Sequence, residues 1–124
     1  MEFETDYITF SVKNKILVAA YKQGLHINLT MAKEIVQARI DYTNGAKMPS
    51  LILSQGVISM DKPTREYLSS EAATQGLLAS AIIVNSPFSS FLGNFFLFVN
   101  KPKIPVRIFS SMPIAERWLE QFIV

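Results

Sequence analysis

The sequence predicts an α/β fold built on an open, mixed sheet, and three observations lead to this prediction. Residues 7–12 alternate apolar and polar side chains, and a polar turn and residues 16–21 follow, a pattern typical of an antiparallel hairpin. Segments 51–55 and 79–84 contain continuous apolar runs, which are typical of central strands covered on both faces. A segment of helical periodicity or with helix-start residues follows each of these runs, so that strands and helices alternate.

The first helix follows the hairpin after a loop at 22–26. Thr30 or Asn28 is expected to cap it, because Ser, Thr, Asn and Asp are preferred at helix N-termini. Asn44-Gly45 is a normal stop, since Gly adopts positive φ readily. The inward face follows the spacing i, i+3, i+4, i+8 and consists of Ala32, Ile35, Val36 and Ile40.

The central unit runs from Leu51 to Ser70 and predicts a buried strand, a polar loop and a helix. Gln55-Gly56 ends the strand, and Ser59 and Asp61 are good N-cap residues for the helix. Pro63 suits the first helical turn, where its missing N–H costs little. We expect this helix to turn Leu68 towards the sheet and to end near Gly76.

The C-terminal third predicts a strand at 79–84, a helix over 88–99, an edge strand at 106–109 and a last helix. The segment 88–99 also contains Phe95-Phe96-Leu97-Phe98-Val99, which alone would suit a strand, but its twelve-residue stripe favours a helix. Ser110 or Ser111 is expected to cap the last helix. In total we predict a single domain over 1–124, with about five strands and four helices, and neighbouring strands parallel after the hairpin.

Composition excludes several classes of function. The 124 residues include no Cys and one His, which rules out a thiolate metal site, a disulfide scaffold and a His-based metal cluster within one chain. The net charge is +2 without a basic cluster, so we expect no nucleic-acid binding. No apolar stretch is long enough to span a bilayer and no signal peptide is present, so we expect a cytoplasmic protein. We also expect that it has no cofactor and no metal.

The strand-loop-Asp-helix unit and the closing residues resemble the STAS fold of bacterial anti-sigma-factor antagonists and its CRAL-TRIO-like relatives. Gly93-Asn94-Phe95-Phe96, then Phe109-Ser110 and Ala115-Glu116-Arg117-Trp118-Leu119, are similar to the tail of small stand-alone bacterial proteins of this kind. The resemblance extends from about Ile16 to Leu119. It implies a STAS-like domain that works through protein contacts.

In the antagonists the corresponding loop reads Asp-Ser-Ser-Gly, and a partner kinase phosphorylates a Ser in it. Here the stretch is Asp61-Lys62-Pro63-Thr64, in which the Asp matches and Lys62 and Pro63 replace both Ser residues. The family's phosphorylation switch is therefore expected to be absent, although Thr64 retains a hydroxyl nearby.

Polar residues at the ends of the predicted parallel strands form the first candidate site. Ligands of open α/β sheets bind beyond the carboxyl ends of parallel strands, where helix N-termini also carry partial positive charge. The alternative is that these residues serve only as helix caps. The candidate residues are Asp61, Lys62, Thr64, Arg65, Asn85 and Ser86.

The Phe-rich segment forms the second candidate site. A helix face against a sheet covers a stripe about 100° wide, which Phe88, Leu92, Phe95 and Val99 fill. We therefore expect Phe91 or Phe98 to lie at an interface with a second copy or with an apolar ligand. The alternative is an ordinary core helix packed between the sheet and Trp118.

No catalytic motif is present. The chain has no Gly-x-Ser-x-Gly and no Gly-rich phosphate loop, and His26 is expected to be solvated or to act as a cap. We predict a non-enzymatic, regulatory STAS-like binding module whose partner is another protein or a second copy. The alternative is a carrier or sensor of a small apolar or lipid-like ligand, and an enzyme ranks third.

Overall fold

The computed structural model describes residues 1–86, 93 and 99–124, and these form a six-stranded mixed sheet with helices on both faces. The strands of this main sheet are β1 (Phe3–Glu4), β2 (Ile8–Lys13), β3 (Ile16–Tyr21), β5 (Met48–Leu53), β7 (Leu77–Ile83) and β8 (Val106–Phe109). Their spatial order is β1-β2-β3-β5-β7-β8, and the four strands from β3 to β8 are mutually parallel. The predicted open mixed sheet is confirmed.

The opening hairpin is confirmed, with Lys13 paired to Ile16 across a two-residue loop. Asn14 and Lys15 both have positive φ, as a tight hairpin turn requires. The short strand β1 pairs with β2 and extends the sheet beyond the predicted five strands.

A second, two-stranded sheet replaces two predicted loops. Strand β4 (Leu25–Ile27) and strand β6 (Val57–Met60) pair in parallel, with Ile27 opposite Met60. The predicted loop at 22–26 and the predicted polar loop between Gln55 and Asp61 are therefore wrong in part. Each strand is too short to show an alternating pattern, and its partner lies about thirty residues away.

Helices α1 (Leu29–Thr43) and α2 (Lys62–Leu68) are associated with one face of the main sheet, and α3 (Met112–Glu120) with the other. Ile8, Phe10, Leu17 and Ala19 pack with Ala32 and Ile35 of α1 in the first core cluster. On the other face, Leu51, Ala79, Ala81 and Ile83 pack with Ala115 and Leu119 of α3. The small Ala residues of β7 allow α3 to lie close to the sheet.

Helix α2 ends at Leu68, earlier than the predicted end near Gly76. The Ser69 hydroxyl donates to the Arg65 carbonyl at 3.1 Å, and the Ser70 hydroxyl accepts from the Ala73 N–H at 3.2 Å. Such bonds compete with helix continuation, so two successive Ser residues end this helix. The chain then passes through turns to Gly76.

The helix predicted over 88–99 lies almost entirely outside the described residues. Gly93 and Val99, which are described, have helical conformation. Among the helices that the structure describes, none combines the length and the apolar character needed to cross a bilayer.

Candidate functional site

Helices α1 and α2 begin side by side, because each follows one strand of the small parallel sheet. Asn28 follows β4 and Asp61 follows β6, and the last residues of these strands are paired. Of the two predicted caps for α1, Asn28 is the one used, and its Oδ1 accepts from the Met31 N–H at 2.9 Å. The two helix N-termini therefore meet at one end of the small sheet.

Asp61 caps α2 as predicted. Its Oδ1 accepts from the Thr64 N–H at 3.0 Å and also from the Thr64 hydroxyl. The hydroxyl bond is the main reason why the pKa of Asp61 lies below its usual value, and the backbone bond from Thr64 adds to it. Asp61 is exposed and ionised near neutral pH, so it presents a carboxylate to solvent in a fixed orientation.

Thr64 is the unexpected member of the site, since its exposure is 0%. Besides Asp61, its hydroxyl lies 3.4 Å from the carbonyl oxygen of Ile27, the last residue of β4. Thr64 thus connects the start of α2 to the end of β4 through contacts that are buried beneath the surface. A ligand at the surface meets Asp61 and Lys62, not the Thr64 hydroxyl.

The neighbouring charged residues divide between solvent and structure. The Lys62 side chain is 78% exposed and its Nζ lies 3.9 Å from Glu66 Oε1, a weak pair of the i, i+4 type. Arg65 is half-buried. Its Nη1 donates at 2.7 Å to the carbonyl of Met60, which is the last residue of β6. Arg65 therefore supports the strand-helix junction, whereas Lys62 is available to a partner.

The exposed side of β6 completes the site with Ile58, which no sequence pattern indicates, and with Ser59, which the sequence predicts only as a helix cap. Ile58 is 63% exposed, and His26 Nδ1 lies 2.8 Å from the exposed Ser59 Oγ across the small sheet. We call Ile58, Ser59, Asp61 and Lys62 together the α2 surface. No local signal in the sequence points to Ile58 or to the His26–Ser59 pair, because both depend on β4 and β6 pairing.

Asn85 and Ser86 lie at a different place from Asp61. They follow β7 at the carboxyl end of the main sheet, where the Ser54 hydroxyl donates to the Ile83 carbonyl at 2.9 Å. Strand β6 inserts four residues, roughly 13 Å of chain, between that edge and α2. The predicted polar groups thus end two different sheets, and their role in binding stays a prediction.

Phe91 and Phe98 lie outside the described residues, so their predicted interface stays a prediction.

Within residues 1–86, 93 and 99–124, no three His, Asp or Glu side chains form a group that could hold a metal ion. The arrangement at the α2 surface offers a fixed carboxylate, an ammonium group and an exposed aliphatic side chain. These groups suit recognition of another molecule through contacts.

Comparison with solved structures shows the class of fold, which is SpoIIAA-like, that is, STAS-like. The chain is similar to an uncharacterised protein of the DUF3478 family with a SpoIIAA-like fold from Shewanella loihica PV-4, with a TM-score of 0.66 over 96% of this chain and 98% of that chain. At 12% identity this likeness shows the fold alone. A family model described as a domain of unknown function, DUF7793, matches residues 10–123, and the chain belongs to that family. No curated protein matches the sequence.

Proposed function

We propose that this chain is a non-enzymatic, regulatory binding module that recognises another protein through the α2 surface. The observation that carries the proposal is Ile58, a large aliphatic side chain that is 63% exposed beside the charged Asp61 and Lys62. Burial of an exposed Ile in an interface is favourable by roughly 1.5 to 3 kcal/mol before the costs of association. The flanking charges then provide orientation and specificity.

The backbone of β6 supports the same proposal. In the part of the chain that the structure describes, β6 pairs with β4 alone, which leaves its other edge without a neighbouring strand. An extended segment of a partner protein is recognised at such an edge through main-chain hydrogen bonds. One exposed aliphatic residue bordered by charges is typical of a transient contact, since permanent dimers bury larger and more apolar surfaces.

The proposed contact is not switched by phosphorylation at Thr64. A kinase must reach the hydroxyl, and this hydroxyl is buried and donates to Asp61. A phosphate there would also stand against the Asp61 carboxylate, with like charges in contact. Stoichiometric phosphate on Thr64, found by mass spectrometry of protein from its native cells, would contradict this part of the proposal.

The experiment compares two substitutions that place the same charge on different faces. Ile58→Asp alters the α2 surface, and Ile114→Asp is the matched control, because Ile114 is 55% exposed on α3. Tagged protein of each kind is expressed in the native cells, and the captured proteins are quantified by mass spectrometry. We expect a partner that the wild type and Ile114→Asp retain and Ile58→Asp loses, with all three proteins equally folded by circular dichroism.

Two results would count against the proposed module. If both variants retain the partner equally, the contact lies elsewhere on the protein. If both variants lose the partner equally, the loss is caused by the added negative charge and not by the position of the substitution. A persistent small adduct in native mass spectra of freshly isolated protein would instead favour the carrier of an apolar ligand, with Phe91 and Phe98 as its predicted site. The described residues line a cavity of about 110 Å³. This volume is smaller than the roughly 300 to 1,000 Å³ of pockets for drug-sized ligands, so this cavity does not support the carrier alternative.

A further inference from the structure

Arg39 is a buried cation in the C-terminal half of α1. Its exposure is 9%, and the ionisable side chains that act on its pKa are those of Tyr67 and Tyr21. Burial lowers the pKa of Arg39, since desolvation disfavours the charged form. A guanidinium in such surroundings normally has a carboxylate partner, because an uncompensated buried charge is costly.

Arg39 has backbone partners instead. Its Nη1 donates to the Ala73 carbonyl at 2.9 Å, and its Nη2 donates to the Gln75 carbonyl at 2.6 Å. A guanidinium has five N–H donors, and these two bonds use two of them. Among the described residues, no carboxylate lies within ion-pair distance of Arg39. The positive charge is therefore solvated by two dipoles and is not neutralised.

A cavity adjoins this guanidinium. Its volume is about 110 Å³, and Arg39, Lys47, Met48 and Leu77 are among its lining residues. Met48 and Leu77 begin β5 and β7, so the cavity lies at the amino ends of the central strands. The lining residues include two that carry a positive charge, Arg39 and Lys47, and no Asp or Glu. Since one water needs roughly 10 to 15 Å³ of such space, the cavity has room for a group of several atoms.

We propose that this cavity binds a phosphate group of a small molecule, held by the buried guanidinium of Arg39 and the ammonium of Lys47. Two cations match the charge of a phosphate near neutral pH, and the planar guanidinium recognises phosphate oxygens through paired N–H donors. Lys47 is exposed and lies at the rim, where its flexible side chain closes over a ligand without disturbing the core.

The C-terminal end of α1 also lies at this cavity, and its partial negative charge would oppose an anion. The last carbonyl groups are occupied, however. The N–H of Asn44 donates to the Asp41 carbonyl at 3.3 Å, and that of Gly45 to the Ile40 carbonyl at 3.2 Å. The Thr43 hydroxyl donates to the Arg39 carbonyl at 3.0 Å. These donors compensate part of the negative charge that the carbonyl groups at this helix end would present to a bound anion.

The test is a two-dimensional amide NMR titration of the full chain with inorganic phosphate, at constant ionic strength maintained with chloride. We expect saturable shifts confined to residues around the cavity, with Gly45, Gly76 and Leu77 as reporters. Lys47→Gln should weaken the affinity about fivefold, the upper range for an exposed ion pair. The matched control is Lys33→Gln, an exposed Lys near the other end of α1, a helix about 22 Å long.

Arg39→Lys keeps the charge and removes the paired donors, so binding should fall below detection while Lys33→Gln binds as the wild type does. If Arg39→Lys does not fold, Lys47→Gln alone decides, because its exposed side chain is not part of the core. Absence of saturable shifts with the wild-type protein would overturn the proposal. Equal weakening in Lys47→Gln and Lys33→Gln would also overturn it, since the effect would then be one of net charge. Arg39 would in that case have only its role in joining α1 to the Ala73 and Gln75 carbonyls.

Discussion

Substitution of Thr64 by Val tests the junction beneath the α2 surface most directly. Val has nearly the same shape as Thr, so the change removes the hydroxyl without leaving a cavity. The hydroxyl has one proton and two acceptors, and the bond to Asp61 is the stronger one, because its acceptor is ionised and the Ile27 carbonyl oxygen is 3.4 Å away. The variant therefore loses one hydrogen bond to an ionised group at a fully buried position.

The magnitude follows from that single bond. Hydrogen bonds to charged groups contribute roughly 1.5 to 3 kcal/mol, and water can replace the lost donor at the exposed carboxylate. We therefore expect Thr64→Val to lower the unfolding free energy by about 1 to 2 kcal/mol near pH 7. For a chain of this size the melting temperature should fall by roughly 3 to 8 °C.

The dependence on pH distinguishes this bond from packing. The folded-state pKa of Asp61 lies below its unfolded value of about 3.9, so its contribution to stability is complete above that value. The contribution is lost as the pH falls through the lowered, folded-state pKa. The difference in stability between the wild type and Thr64→Val should therefore narrow as the pH is lowered from 7 through this range.

The control is Thr64→Ser, which keeps the hydroxyl and removes a buried methyl group. It should cost about 1 kcal/mol, the value for burial of one such group, with no comparable dependence on pH. Urea unfolding at several pH values and a carboxyl NMR titration of Asp61 measure both variants. The pKa of Asp61 should rise in Thr64→Val and stay low in Thr64→Ser. An unchanged pKa in Thr64→Val, or a stability loss that is the same at pH 7 and pH 3, would refute the reasoning.

Two further predictions concern packing. Leu51 is 1% exposed and Leu53 is half-buried on the same face of β5, so Leu51→Ala should cost about 2 to 5 kcal/mol in urea unfolding and Leu53→Ala about 1 to 2 kcal/mol. Equal costs would contradict this difference in burial. A Cβ at Gly56 would lie 2.0 Å from the Lys22 carbonyl oxygen, so Gly56→Ala should lower the unfolding free energy by about 1 to 3 kcal/mol. A melting temperature equal to that of the wild type would show that the loop moves away from Lys22 at little cost.

The main sheet could be predicted because its signals are local. The hairpin, the apolar runs of β5 and β7 and the stripe of α3 each lie within one short segment, and each corresponds to an observed element. The small sheet could not be predicted in this way. Its strands of three and four residues are defined by each other, across about thirty residues of sequence, and neither has a periodic pattern of its own.

The same distinction applies to the site. The cap at Asp61 could be predicted from Asp, the following Pro and the spacing, because capping depends on neighbours in sequence. The burial of Thr64 depends on its contact with Ile27, and the exposure of Ile58 depends on which face of β6 is covered. Arg39 occupies a buried position of α1. The sequence around a buried Arg does not indicate whether its partner is a carboxylate or a backbone carbonyl.

The small sheet also explains why the α2 surface suits recognition by contact. In the resembling antagonists the loop before this helix presents a hydroxyl for modification, whereas here the chain between Leu53 and Asp61 is occupied by β6. The Thr64 hydroxyl turns inward to the end of β4, and Arg65 donates to the end of β6, so both strands are bonded to the first turns of α2. Ile58 and Asp61 are therefore held in place before a partner arrives. A surface that is ordered in advance loses little conformational entropy on binding, which allows even a small contact area to be specific.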